Sequence, residues 1–322
     1  MLIRIVKSWT WPDLMRQTPG GTGCWDGVQF TLEPVENCDC LLVLNDVREE
    51  VNTVCPPENV WALFQEPYVK GFSSWMREGH KPFSRIYTHH PPEQSPLYCS
   101  SPPWVPWQVG WSFDELLARQ PSEKTGRIVW VTSNLQGLPG HRKRYAFFQY
   151  LTRLGWSDLD VFGRGIRPVH DKREVLAGSQ YAIAVENHIG TDYWTEKISD
   201  CWLADTLPFY YGCPNLEDYF PPEAFVRINL DDFASASSII RRMVDAGEYE
   251  KRLSAIRDAR DLVLRRHQFF PFMANEARGN LLGSSPRPIH LLPYRQSTFS
   301  VVRDHLYKRL YQLNAYNSSE YP

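Results

Sequence analysis

Apolar and polar positions fall into two textures along the chain. In the first third, apolar residues come in short runs separated by irregular stretches. Leu2–Val6 alternates as a half-buried strand does, and Cys40–Leu44 is a continuous apolar run of strand length. Val60–Phe64 and Arg85–Thr88 are further strand candidates. The segment from Pro91 to Pro106 contains six prolines, which predicts no regular element there. Phe113–Arg119 reads as a short helix, and the polar stretch Gln120–Gly126 is the expected domain boundary.

From Arg127 the pattern becomes strand–helix alternation. Strands are predicted at Ile128–Thr132, Leu159–Phe162, Tyr181–Val185, Leu207–Tyr211 and Phe225–Ile228. Helices are predicted at Arg142–Leu154 (apolar at 147, 148 and 151), Asp171–Ala177, Thr195–Ala204, Ser235–Ala246 and Tyr249–Arg266. Such alternation is the mark of parallel βα units in a doubly wound sheet. A proline-rich tail begins at Pro286 and is helical around Ser300–Gln312. The expected division is therefore 1–119, 120–285 and a tail of 286–322. A length of 322 residues also favours two domains over one core.

Composition narrows the function. Thirty-five Lys+Arg against 37 Asp+Glu give a net charge of −2, which argues against a generic polyanion binder, and no nucleic-acid partner is expected. The first residues form neither a signal peptide nor a span, and no later run reaches 18 apolar residues. The chain is expected in the cytoplasm, or peripheral at the inner face of the membrane. Seven cysteines without a CxxC pair argue against a zinc ribbon or disulfide framework, and Cys38-Asp39-Cys40 reads as buried thiols rather than a metal site. The Asn317-Ser318-Ser319 sequon means little without a secretory signal. Eight of the 12 tryptophans lie in the first 111 residues. They either cement an irregular domain or offer indole faces to sugars.

The densest chemistry is Tyr181 to Ile198. An apolar strand ends at Glu186-Asn187, a loop containing Gly190 comes next, and Thr195 can cap a helix that opens with Glu196-Lys197. Ligands of open α/β sheets bind beyond the carboxyl ends of strands, where helix amino termini offer N–H groups to phosphates. Lys197 adds a positive charge there, and Glu196 can accept from ribose hydroxyls. An ordinary capped helix with a solvated Glu–Lys pair is the plainer reading of those two residues.

This region resembles the donor-binding motif of the α1,3/4-fucosyltransferases, glycosyltransferase family 10, in its bacterial, soluble form. The resemblance is carried by Val185-Glu186-Asn187, Tyr193-Trp194-Thr195-Glu196-Lys197, Ala204-Asp205-Thr206-Leu207-Pro208, Tyr211-Gly212 and Phe220 to Val226. Upstream, Val131-Thr132-Ser133-Asn134 with Arg144 to Leu151, and Val161-Phe162-Gly163, are similar to further family elements. Leu63-Phe64-Gln65-Glu66-Pro67 sits where the family has a short acidic motif. Similarity covers roughly 127–265 and is thin before it.

The resemblance implies a GT-B fold: two Rossmann-like domains facing a central cleft, acceptor side first and nucleotide-sugar side second. It implies an inverting, metal-independent transfer of L-fucose from GDP-fucose to a saccharide hydroxyl. No cofactor is required; the partners are the nucleotide-sugar donor and a saccharide acceptor. Arg144 and Lys197 would hold the donor pyrophosphate, and Glu196 would contact the ribose. Glu186, Asn187 and Tyr193 would line the same pocket, Arg164 would assist, and Glu66 would be the general base. His89-His90 is the alternative base. Asp158-Leu159-Asp160 matches the DxD pattern of metal-dependent enzymes but leads into a strand, away from the donor site. Another nucleotide sugar, or a non-catalytic sugar-binding protein on this fold, are the competing readings.

Overall fold

The structure, a computed structural model, describes residues 1–120 and 122–317. Pro121, in the expected boundary stretch, and Ser318 and Ser319 of the sequon lie outside the described residues. The chain forms two compact units. Met1–Trp9, Phe30–Ser101 and the segment from Asn280 onward make the first; Thr10–Gln29 and Pro102–Gly279 make the second. A single cut near residue 120 does not describe them, because residues 10–29 are tied to partners late in the chain. Arg16 and Gln17 donate to the Trp107 carbonyl at 2.9 and 3.1 Å, and Gln268 donates to the Gln17 carbonyl at 3.3 Å.

The chain opens with β1 (Leu2–Val6), and then a hairpin of β2 (Cys24–Trp25) and β3 (Val28–Thr31) turns through Asp26 and Gly27 at φ 47° and 79°. Both residues sit at positive φ, as a tight two-residue hairpin turn requires. Next come β4 (Cys40–Leu44), β5 (Val51–Cys55), β6 (Val60–Leu63), β7 (Arg85–Thr88) and β8 (Tyr98–Ser100). In the first unit β1, β4, β6, β7 and β8 are neighbours in that order, all parallel. Every residue of β4 and β6 is buried. That explains why these strands read as continuous apolar runs rather than alternating ones. Contrary to expectation, β8 lies within the proline-rich segment. It uses the proline-free stretch between Pro96 and Pro102 and sits at the sheet edge, where neighbouring prolines do least damage.

The second unit holds α1 (Phe113–Ala118), closed by a Ser112–Glu115 capping box. Beyond it lie β9 (Thr125–Val131), α2 (Pro139–Leu154), β10 (Leu159–Phe162), α3 (Arg173–Leu176), β11 (Ser179–Val185) and α4 (Glu196–Leu203). After these come β12 (Leu207–Tyr211), β13 (Val226–Arg227), α5 (Phe233–Asp245), α6 (Glu248–Arg265) and α7 (Phe269–Asn280). The sheet order is β10-β9-β11-β12-β13, all parallel. Counted within this sheet, that order is 2-1-3-4-5, a doubly wound arrangement whose direction reverses between β9 and β11. On α2 the buried positions are Arg144, Phe147 and Leu151; Arg144 takes the place expected of Phe148.

The carboxyl-terminal segment returns to the first unit. There β14 (Arg287–Leu291) pairs antiparallel with β5, Leu291 opposite Val51. Helix α8 (Thr298–Asn317) is anchored by Asp304, which accepts from Ser74 Oγ at 2.5 Å. Leu291 joins Leu41, Val43, Val51, Cys55 and Val60 in one apolar cluster, while Phe64, Met76 and Ile86 form another. Among the described residues, no helix is long and apolar enough to cross a membrane.

Candidate functional site

The reversal between β9 and β11 fixes where the second unit can bind a ligand, because the two connections leave their strands in opposite directions and open a crevice. Glu186 and Asn187 come directly after β11, and Thr132 and Ser133 directly after β9. Thr195 is the amino cap of α4, its hydroxyl accepting from the Lys197 amide at 3.4 Å.

Glu186 is the residue that joins strand to helix. Its carboxylate accepts from the Thr195 amide at 2.8 Å and from the Thr195 hydroxyl at 2.8 and 2.9 Å. Lys197 Nζ lies 3.2 Å from Glu186, 3.6 Å from Glu196 and 3.0 Å from Thr195 Oγ1. The Glu186 side chain is fully buried and reaches this position only because Gly212 lacks a side chain. A Cβ at Gly212 would come within 2.5 Å of Glu186 Cγ.

A second cation completes the cluster. Lys172 Nζ lies 2.7 Å from Asp200 and 3.6 Å from Glu196. Asp200 in turn accepts from the Gln108 and Val109 amides at 2.8 and 3.3 Å. Burial alone would push the Glu196 carboxyl up, but the Lys197 and Lys172 ammoniums outweigh it and hold it at about 2. Glu186 goes the other way: burial raises it, and the Lys197 charge opposes that rise only in part. For Lys197, burial disfavours the charged form, while Glu186 and Glu196 more than compensate and its pKa rises. Both ammoniums are therefore charged at neutral pH.

Arg144 reaches the crevice from α2. Its guanidinium donates to Asn187 Oδ1 and, at 2.9 Å, to Ser133 Oγ, and so links the loops that leave β9 and β11. Helix α2 can approach that closely because of Gly140, where a Cβ would stand 1.8 Å from the Asn187 carbonyl oxygen. His141, one turn from Arg144, is lowered to about 4 by burial and by the charges of Arg144 and Lys197. Tyr193 is buried, with its ring edge-on to His188 at 5.4 Å. Glu186, Asn187, Tyr193, Glu196, Lys197 and Arg144 thus gather at one end of one sheet. Arg164, in the loop after β10, has an exposed side chain; its backbone carbonyl accepts from the Asn134 amide at 3.1 Å.

The remaining candidates lie elsewhere. Glu66 is exposed in the turn directly after β6, at the carboxyl end of the first unit's sheet. His89 and His90 come after β7, their rings 4.3 Å apart and edge-on. Asp158 pairs with Arg241 at 2.7 Å, and Asp160 pairs with Arg127 at 2.5 Å and Arg167 at 3.0 Å. Both lie at the amino end of β10, opposite the crevice edge. Cys38 and Cys40 are buried free thiols, and no group of His, Cys, Asp and Glu among the described residues is placed to hold a metal ion. Of the amino-terminal tryptophans, Trp25, Trp61, Trp104 and Trp107 are core residues, whereas Trp11 is 59% exposed.

Sequence reasoning did not single out Lys172, Asp200 or Gly140, and it quoted Ser133 only as part of a family-like motif without giving it a role. One signal existed. Glu196 and Asp200 stand four apart on a helix, a like-charge pair that repels unless a cation lies across it. The pattern calls for a cation without saying which one.

Residues 121–253, less than half of the chain, match glycosyltransferase family 10 (fucosyltransferase), C-terminal part. The chain is similar to the alpha-(1,3)-fucosyltransferase FucT of Helicobacter pylori, 31% identical over 122 residues that cover 36% of this chain and 24% of that protein. It is similar also to the 4-galactosyl-N-acetylglucosaminide 3-alpha-L-fucosyltransferase FUT6 of Homo sapiens. There the identity is 32% over 125 residues, covering 37% of this chain and 33% of the human protein. The chain thus matches about a quarter to a third of the length of these relatives. Among solved structures, a crystal structure of alpha1,3-fucosyltransferase with GDP-fucose aligns over 84% of this chain and 91% of its own, at 17% identity and a TM-score of 0.46. The matched segment includes every candidate of the second unit and leaves out Glu66.

Proposed function

We propose that this chain is a family-10 type glycosyltransferase that moves L-fucose from GDP-fucose to a saccharide hydroxyl, with inversion and without a metal ion. The observation that carries the reading is that two cations, Lys197 beside Glu186 and Arg144 bonded to Asn187, stand at the crevice edge inside the segment that matches the family. Two cations beside the amino terminus of α4 suit a diphosphate, whose charge grows as the bond to the sugar breaks. A preorganised donor aimed at such charge contributes about 3–4 kcal/mol.

The reaction balances without a cofactor. The acceptor oxygen forms a bond to the anomeric carbon, the bond from that carbon to the GDP oxygen breaks, and the hydroxyl proton passes to a carboxylate. We assign that base to Glu66. The ammonium of Lys197 is held by Glu186 and Glu196. A diphosphate would draw it away from Glu196, whose carboxylate, still 3.6 Å from Lys172, could then accept from ribose hydroxyls. Glu186, fully buried beneath, would keep the lysine in place rather than touch the donor. The seven cysteines are free thiols, which supports a reducing compartment such as the cytosol.

The test is calorimetric titration of GDP and UDP into wild type and Lys197→Ala without added metal. GDP binding that weakens in the variant, together with transfer from GDP-fucose to a saccharide, is the expected result. A preference for UDP would point to a different nucleotide sugar. Binding of neither at millimolar concentration would overturn the donor-site assignment.

A further inference from the structure

The first unit contains a cavity of about 460 Å³ that no part of the donor chemistry uses. That volume lies within the range of small-ligand sites, roughly 300–1,000 Å³. Its walls come from four separate stretches of the first unit: the residues after β4, Phe64 after β6, the turn around Trp75–Phe83, and the end of β14 with the segment after it. Phe64 and Trp75 stand edge-to-face at 6.3 Å, and Phe83 and Tyr294 extend the aromatic surface.

The segment after β14 is locked onto this cavity. Tyr294 donates its amide to the Val47 carbonyl at 2.9 Å and its hydroxyl to Glu78 at 2.9 Å. Glu78 also accepts from the Ser297 amide at 3.1 Å. The Tyr294 ring passes so close to Gly79 that a Cβ there would lie 2.7 Å from Tyr294 Cδ2. The wall is thus fixed before any ligand arrives.

The polar groups left over are all donors. Lys81 and Arg295 line the cavity with exposed side chains, and neither has an ion-pair partner among the described residues. Asn45 spends its Oδ1 on the Gln65 amide at 2.7 Å, which leaves its amide nitrogen. Of the two wall carboxylates, Asp46 is paired with Arg48 at 2.8 Å, while Glu78 accepts from the neutral donors Tyr294 and Ser297 and keeps its charge against those of Lys81 and Arg295; His290, also in the wall, lies 3.0 Å from Glu50. An aromatic surface suits the apolar face of a sugar ring, and a rim of cationic and amide donors suits a ligand rich in acceptors.

We propose that this cavity binds a hexose ring carrying an anionic group, as part of the acceptor. Phe64, which lines it, stands two residues before Glu66, and Asn45 holds the intervening Gln65 amide at 2.7 Å, so the cavity adjoins the segment that carries the assigned base. That the sugar is the acceptor rests on the transferase reading; that the cavity takes an acidic sugar does not.

The test uses the full chain and a matched pair of probes, methyl β-D-glucuronide and methyl β-D-glucoside, observed by saturation-transfer difference NMR at millimolar concentration. The glucuronide is expected to bind at least fivefold more tightly than the glucoside. Arg295→Glu should remove that preference. Leu292→Trp, a larger side chain at a wall position 65% exposed, should block both probes without disturbing the core. Equal binding of the two probes, binding unchanged in Leu292→Trp, or no binding of the glucuronide would each overturn the proposal. GDP titration of the same samples reports separately on the second unit, so failure of the transferase reading would be distinguishable.

Discussion

Strands β4 and β11 begin alike and end differently. Both are apolar runs buried in the middle of parallel sheets. After β11 the chain reaches a capped helix, α4, with seven of its eight residues buried, so the polar groups at its start must satisfy one another. After β4 it turns through Asn45 in the left-handed region, φ 67°, with no helix before β5. One strand end therefore carries a buried lattice of paired ions, and the other an aromatic cavity with unspent donors. The two strands are alike in burial and place; the connection that leaves each one decides whether its site is made of fixed charge or of surface to stack on.

The largest effect expected is on the chemistry itself. Glu66→Gln should lower the transfer rate by about 10²–10⁴-fold and leave GDP binding unchanged. Weakened GDP binding in that variant would move Glu66 out of the base role and blur the contrast between the units.

Lys197→Ala should weaken GDP by tenfold or more and cost about 3 kcal/mol of stability, since it strands the buried Glu186 carboxylate. Thermal unfolding of Lys197→Met combined with Glu186→Gln should recover most of that stability but not the GDP affinity. Recovery of both would mean that Lys197 has only a structural part.

Smaller in size is the backbone effect. Gly140→Ala forces α2 away from Asn187 and should cost about 1–3 kcal/mol, with a severalfold loss of GDP affinity through Arg144. Gly137→Ala, with open space around it, is the control and should be neutral.

The smallest effect is a pH dependence. His141 is held neutral in the fold at about 4, below the ordinary 6.5, by burial and by Arg144 and Lys197. The unfolded chain takes up its proton first, so this contribution is complete above about 6.5 and is lost as pH falls toward 4. His267, also at about 4 through burial and Arg266, acts in the same direction, whereas Glu186, raised by burial, opposes it. The difference between wild type and His141→Gln isolates the term: the melting temperature of the variant should fall less between pH 7 and 5.

Much of the crevice at the β9–β11 reversal was legible along the chain because its parts are local. Glu186, Asn187, Thr195, Glu196 and Lys197 lie within a strand end, one loop and the first turn of a helix, where period and capping rules apply. Arg144 was legible only through resemblance; on α2 it occupies a position that an apolar residue would be expected to fill. Lys172 was not legible at all, since nothing near it in sequence announces that Asp200 and Glu196 need a cation.

The first unit was harder. Its strands β4 and β6 stand where the apolar runs predict, because burial on both faces leaves little choice of residue; β1 and β7 also stand where strands are expected, although Arg4, on the face of β1 that alternation makes polar, is buried too. The edge strand β8, the antiparallel strand β14 and the second-unit membership of residues 10–29 were not visible, as each depends on partners far along the chain. By itself, then, the sequence determined the class of fold, the central parallel strands of both sheets and the residues around the α4 cap, since those come from periodicity and short-range hydrogen bonding, but not the hairpin strands β2 and β3. Only the tertiary structure decided which cations neutralise which carboxylates, where glycines let backbones touch, and how the segment after β14 walls a cavity. Contacts between distant residues are set by packing, and packing leaves no periodic trace.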